Sequence, residues 1–254
     1  MCLILFSWKN HEHHKLILAA NRDEFYARPT KQAGYWEDHP DILAGRDLEA
    51  GGTWMGLTRS GRFAAITNYR DPSIKRENAP SRGALTTDFL KGTGSPEMYV
   101  ERIDGQANDF YGYNLLLSDG KDFWYYSNIS REGKSLSPGS YGLSNALLDT
   151  SWPKVELGKR LFRDSVQTSG ANGQLLDVLK NTEKPPDKNL PSTGVPYEWE
   201  KAISSMFIET ETYGTCCSTI VTIDHSDKAT FVEKSYPVGD RVEGIVQFEI
   251  PLGI

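Results

Sequence analysis

The chain has 254 residues, 38% hydrophobic and 24% charged, with a formal net charge of −6. That is long enough for one large β-rich domain, and the acidic balance without any Lys/Arg-rich block argues against a nucleic-acid surface. Three cysteines, two of them adjacent at Cys216 and Cys217, cannot build a disulfide framework, and no apolar stretch approaches the ~20 residues that span a bilayer. No basic leader precedes the apolar run from Cys2 to Phe6 and no small-residue cleavage site follows it, so a reducing, cytoplasmic setting is expected.

The chain opens on Met1-Cys2-Leu3-Ile4-Leu5-Phe6-Ser7-Trp8. A small residue in second place lets aminopeptidase remove Met1, which would leave Cys2 with its thiol and a free α-amine on one carbon. The unperturbed pKa of such an amine is about 8, so it can take the thiol proton near neutral pH. A cysteine opening a core strand is also an ordinary packing residue, and this position alone leaves both readings open.

Leu3 to Trp8 and Leu16 to Ala20 are apolar runs separated by a polar, His-rich segment, which predicts a hairpin buried on both faces. In that hairpin Asn21-Arg22-Asp23-Glu24, at the end of the second strand, lies close to Cys2. Arg22 there would favour a thiolate, and Arg22 with Asp23 or Glu24 would satisfy each other's charge. A solvated strand end is the alternative reading.

A second hairpin is predicted over Gly52 to Thr58 and Arg62 to Asn68, turning at Arg59-Ser60-Gly61, with Gly51, Gly52 and Gly56 marking close backbone approach. A helix is expected within Ser81 to Lys91 and another from the Ser95-Pro96 cap to Ile103. Asn114 to Ser118 and Asp122 to Asn128 form a third hairpin about Asp119-Gly120-Lys121. Ser151-Trp152-Pro153 opens a further helix through Val166, and Gln174 to Lys180 a shorter one. After the Pro-rich loop from Lys184 to Pro196 come strands over Cys216 to Asp224, Ala229 to Lys234 and Val242 to Glu249, turning at His225-Ser226-Asp227 and Val238-Gly239-Asp240. Strands, helices, strands, helices, strands is the order of an α+β sandwich of packed antiparallel sheets covered by helices, expected as one domain over 1–254.

Asn68 and Asn145 both fall at strand-to-loop junctions, where a side-chain amide could donate to an oxyanion or simply form a turn. His11, His13 and His14 sit in a hairpin loop without metal-ligand spacing, and Cys216 and Cys217, adjacent on a strand, are expected to point to opposite faces. With no Gly-x-Ser-x-Gly elbow, phosphate loop or dinucleotide fingerprint, no cofactor or metal is expected. Tyr35, Trp36, Trp54, Tyr69 and the loop before Tyr197 are the expected pocket walls.

Cys2, Asn21-Arg22-Asp23-Glu24-Phe25, Arg28-Pro29-Thr30, Gly45-Arg46-Asp47, Gly51-Gly52-Thr53-Trp54-Met55-Gly56, Thr67-Asn68-Tyr69-Arg70, Ser81-Arg82-Gly83, Gly142-Leu143-Ser144-Asn145 and Tyr213-Gly214-Thr215 resemble, in this order, the NRDE family, also called the transport and Golgi organization protein 2 family. The resemblance implies a four-layer αββα sandwich like that of the N-terminal nucleophile hydrolases, of which choloylglycine hydrolases and penicillin V acylases are the nearest comparison. By position it implies Cys2 as nucleophile, Arg22 and Asp23 as its supporting pair, and Asn68 and Asn145 as oxyanion donors. Two departures from the pattern are visible: Arg22 and Asp23 are adjacent, and Cys216 stands where many members have an arginine. The resemblance implies a small-molecule amide substrate cleaved by acyl-enzyme chemistry. Its alternative is a non-catalytic carrier of haem or an acyl lipid, with His39, the loop histidines or the cysteines as candidate haem ligands.

Overall fold

A computed structural model describes residues 2–168, 172–237 and 242–253. The N-terminal hairpin is formed by β1 (Cys2–Trp8) and β2 (His14–Phe25), paired antiparallel from Cys2 opposite Arg22 to Trp8 opposite Leu16. Every residue of β1 is buried, because the strand has packing partners on both faces. Ile4, Phe6 and Trp8 point with Leu16, Leu18 and Ala20 into one apolar layer, while Leu3, Leu5, Ile17 and Ala19 point into another, the period-2 alternation of a strand.

This hairpin belongs to a six-stranded antiparallel sheet completed by β10 (Gly139–Leu143) on one side and β11 (Tyr213–Asp224), β12 (Lys228–Ser235) and β13 (Gly244–Pro251) on the other, in the order β10-β1-β2-β11-β12-β13. A second sheet runs in chain order through β3 (Thr30–Tyr35), β4 (Ile42–Asp47), β5 (Met55–Thr58), β6 (Phe63–Asn68), β7 (Tyr113–Ser118), β8 (Phe123–Ser127) and β9 (Glu132–Ser135). The two sheets share the apolar layer that holds Phe6, Phe63 and Phe123. Helices α1 (Gly83–Lys91) and α2 (Pro96–Asp104) cover the outer face of the seven-stranded sheet through Phe89 and Tyr99. Helices α3 (Pro153–Thr168) and α4 (Asn172–Leu179) cover the other sheet through Phe162 and Leu175. The result is the four-layer αββα sandwich, with α5 (Tyr197–Ala202) beside β11.

The three hairpins and four longer helices expected from the sequence are present. Ser95 Oγ accepts a hydrogen bond from Met98 N at 3.2 Å, with Pro96 opening α2. Gly61 and Gly120 occupy positive φ (80° and 89°) in their hairpin turns, where a side chain would be strained. Strands β3, β4, β9 and β10 and helix α5 were not evident from hydrophobic pattern. β9 is exposed at every position, β3 is interrupted by a register shift between Lys31 and Gly34, and β10 begins Gly-Ser. The expected turn at Val238-Gly239-Asp240, like Met1, lies outside the described residues. Among the described residues no helix is long and apolar enough to cross a membrane.

Candidate active site

At one end of the sandwich the layer between the sheets stops being apolar. Cys2 is the register partner of Arg22, Arg22 of Cys217, and Cys217 of Ser235, so one row across β1, β2, β11 and β12 carries thiol, guanidinium, thiol and hydroxyl. All four line a cavity of about 580 Å³, a size that suits a small organic ligand. Opposite them the cavity is walled by Gly52, Thr53 and Trp54 of the loop between β4 and β5, by Asn68 at the end of β6, and by Ser81, Arg82 and Gly83 at the start of α1.

Cys216 corrects an expectation. Thr215 pairs with Asp23 and Cys217 with Arg22, so Cys216 is the extra residue of a β-bulge. The bulge suspends strict alternation, and both Cys216 and Cys217 line the cavity rather than facing opposite sides. Cys216 Sγ lies 3.5 Å from Gly214 O and 3.7 Å from Glu24 O. The aromatic walls also differ from expectation. Trp54 lines the cavity together with Phe25 and Tyr111, whereas Tyr35 packs on Phe248 and Trp36 is buried under α1, its indole N–H donated to Ala44 O. Tyr69 and the loop before Tyr197 are not among the lining residues.

Because β2 continues to Phe25, Arg22 and Asp23 alternate. The Arg22 guanidinium stays between the sheets, with Nη2 3.7 Å from Glu24 Oε2. The Asp23 carboxylate turns toward the helix layer and accepts from Thr215 Oγ1 at 2.7 Å, while Tyr213 donates its hydroxyl to Asp23 O. Burial raises the Asp23 carboxyl, against the lowering effect of the chain's terminal ammonium and Lys154. Burial likewise pushes the Cys2 thiol up, with Asp23 adding to it, while the terminal ammonium, Arg22 and the Asp23 backbone N–H pull it down. Cys217 and Glu233, diagonal neighbours across β11 and β12, are both raised by burial, and Glu233 Oε1 accepts Ala33 N at 2.8 Å, a tie from β12 to β3 across the sandwich.

Asn68 is half-buried on the cavity wall. Asn145 is fully buried and is not a lining residue: its Nδ2 donates to Asn68 O at 2.8 Å and its carbonyl accepts Arg70 N. The neighbouring Ser144 Oγ donates to Cys2 O at 3.1 Å. The segment after β10 thus fastens both Cys2 and Asn68 in place, and Asn145 reaches the cavity through Asn68. None of the five histidines lines the cavity. A haem ligand there would have to come from the cysteines, and among the described residues no group of three or more His, Cys, Asp or Glu is arranged to hold a metal ion.

Behind Asp23 lies a charge network that sequence reading missed. Arg70 and Glu200 form an ion pair with both side chains buried, Thr193 Oγ1 donates to Glu200 at 2.7 Å, and the Arg70 guanidinium stacks on Trp152. Lys154, 4% exposed on the first turn of α3, donates to Ile203 O at 3.2 Å. Lysine and glutamate in a first helical turn read as solvated, so the sequence offered no signal of their burial. Burial pulls the Lys154 ammonium down from 10.5 to about 8, with Arg70 adding and Asp23 opposing. Between those values the unfolded chain carries a proton that the folded chain lacks, so this group's contribution to stability improves as pH rises from 8 to 10.5. Below 8 it costs on the order of 3 kcal/mol. The unfolding free energy of the wild type relative to Lys154→Met, measured in urea, is therefore expected to rise across that window; a flat difference would contradict the assignment.

The sequence matches the model of the family described as Transport and Golgi organisation 2 over residues 1–237. The chain belongs to this family. Two relatives bearing the name are the Transport and Golgi organization 2 homolog of Mus musculus and the Transport and Golgi organization protein 2 homolog of Homo sapiens, each 37% identical over 257 residues, 92% of this chain and 93% of the relative. The Transport and Golgi organization protein 2 of Drosophila melanogaster is 29% identical over 92% of both chains. Among solved structures, the N-acylethanolamine-hydrolyzing acid amidase ortholog of Caenorhabditis elegans superposes with a TM-score of 0.50, covering 86% of this chain and 92% of that one at 9% identity. At that identity the likeness is one of fold, and it places this Transport and Golgi organisation 2 member on the N-terminal nucleophile hydrolase architecture.

Proposed function

We propose that the chain is an N-terminal-cysteine amidohydrolase that cleaves a non-peptide amide through an acyl-enzyme. The observation that carries this reading is the position of Cys2: first residue of β1, paired in register with Arg22, next to the Asp23 backbone N–H, and on the wall of a cavity large enough for a ligand. Removal of Met1 transfers the terminal amine to Cys2 itself. The amine then takes the thiol proton and Sγ adds to the amide carbon. Asn68 donates to the oxyanion while Asn145 holds it in position, and Arg22 and Asp23 steady the thiolate and the ammonium. Collapse breaks the C–N bond as the ammonium proton passes to the leaving nitrogen, and water then releases the acid from the thioester. The worm amidase of the same fold is named for cleaving an amide of this kind.

Two observations favour the second reading, a non-catalytic carrier of haem or an acyl lipid: burial raises the Cys2 thiol, and the relatives are named for transport. Intact mass before and after one equivalent of a thiol-reactive acyl probe at neutral pH separates the two. The hydrolase reading expects a chain without Met1 that takes one acyl group, and none in Cys2→Ala. Retained Met1, or labelling indifferent to Cys2, would favour the carrier.

A further inference from the structure

Cys2 and Asn68 belong to different sheets. Cys2 opens β1 of the six-stranded sheet and Asn68 ends β6 of the seven-stranded one, so no strand ladder sets the distance between them. Acyl transfer needs that distance held to within about 0.5 Å, because one carbonyl must meet the thiolate and the oxyanion donor together. Some other element has to fix it.

The segment from Ser144 to Leu148 spans the gap. Ser144 Oγ donates to Cys2 O at 3.1 Å in the first sheet, and Asn145 holds the second through Asn68 O and Arg70 N. Asp149 N donates to Gly142 O at 2.8 Å and Gly142 N to Asp149 Oδ1 at 2.9 Å, which closes the base of the loop on β10. Its far side is gripped by two buried residues of the second sheet. Asn114 on β7, fully buried and in register with Thr67, donates Nδ2 to Ala146 O at 3.0 Å and to Thr67 Oγ1 at 3.2 Å. Tyr125 on β8 donates its hydroxyl to Asn114 Oδ1 at 2.8 Å and accepts Leu148 N at 3.2 Å.

Proton counting leaves one arrangement for this network. Leu148 N–H occupies a lone pair of the Tyr125 oxygen, so the phenol proton goes to Asn114 Oδ1 and both amide protons of Asn114 are left for Thr67 and Ala146. Burial pushes the Tyr125 phenol up to about 12, so it keeps that proton at neutral pH. A buried polar network with its donors and acceptors matched is rigid. Leu116, two residues along β7 on the same face, is apolar core, so packing alone does not call for an amide at 114.

We infer that Asn114 and Tyr125 are positioning residues for acyl transfer, holding the Ser144 to Leu148 segment where it keeps Asn68 within reach of the oxyanion formed at Cys2. This rests on the amidohydrolase reading. The test is the burst of p-nitrophenolate from p-nitrophenyl butyrate at neutral pH. Sγ bonds to the ester carbon as its bond to the nitrophenolate oxygen breaks, and the thiol proton stays on the terminal amine. Burst amplitude counts competent sites, which a residue that only supports the fold would lower; the burst rate constant reads their geometry.

Asn114→Leu is expected to lower the saturating rate constant at least about tenfold, with half-saturation within about threefold of wild type, and Tyr125→Phe to lower it about threefold. Val100→Ala, a core truncation on α2, is expected to keep the rate constant within about twofold and is the control for lost stability. Exchange of Arg70 N–H, which donates to Asn145 O, is expected to run at least about fivefold faster in Asn114→Leu than in Val100→Ala. Tyr125→Phe carries both readouts if Asn114→Leu does not fold. A rate constant no lower than that of Val100→Ala would overturn the inference. A wild type without a burst that depends on Cys2 would remove the hydrolase reading instead, and the hold on Asn68 would then stand on faster Arg70 exchange and fall on unchanged exchange.

Discussion

Cys2→Ala is expected to lower turnover of a cleavable amide by at least about 10³-fold, since a missing nucleophile leaves only binding and oxyanion stabilisation. Stability should change little, by about 1 kcal/mol, because one sulfur is lost from a residue that lines a cavity and is not interdigitated in the core. The informative control is Cys217→Ala. Cys217 occupies the same row, also beside Arg22 and in the same cavity, and its thiol is likewise raised by burial. What it lacks is the terminal amine. If that amine is the base, Cys217→Ala keeps turnover within about tenfold of wild type. Turnover surviving in Cys2→Ala and lost in Cys217→Ala would move the nucleophile to β11. Steady-state rates with unfolding midpoints on the same preparations read both effects at once.

Arg70→Ala is expected to destabilise the fold by about 3–5 kcal/mol, the usual consequence of stripping one partner from a buried pair. Both Arg70 and Glu200 side chains are buried, and among the described residues Glu200 would be left with the Thr193 hydroxyl and the nearby Lys154 charge. The guanidinium's contact with Trp152 would go as well, loosening the entry to α3. The pair ties the residues after β6 to α5, and Arg70 N also donates to Asn145 O, so the variant should loosen the support of Asn68. Urea unfolding measures the first effect, and a loss of stability below about 1 kcal/mol would mean that the pair is solvated in solution.

The core of the site was legible because it is local. A short polar turn between two apolar runs sets the register of β1 against β2, and that register brings Cys2 to Arg22 without reference to the rest of the chain. The caps and turn glycines of α2 and of two hairpins were legible for the same reason, each being fixed by a few adjacent residues. Cys216 was misread because a bulge depends on what β2 offers across the ladder, which strand alternation cannot anticipate. Asn145 was expected as an oxyanion donor but lies off the cavity wall, and its hydrogen bond to Asn68 O is made between the two sheets, beyond the reach of any local pattern.

By itself the sequence determined the antiparallel hairpins, the helical cover and the placing of Cys2 beside Asn21-Arg22-Asp23-Glu24, since alternation, capping and turn chemistry act over a few residues. Only the tertiary structure decided which charges are buried. Arg82, Lys154, Glu200 and Glu233 belong to residue types that normally face water, and each is drawn inward by elements distant in the chain. Desolvation is a property of what surrounds a group, and for these residues the surroundings arrive with Gly112, Ile203, Arg70 and Ala33, from other parts of the chain, only when the four layers close.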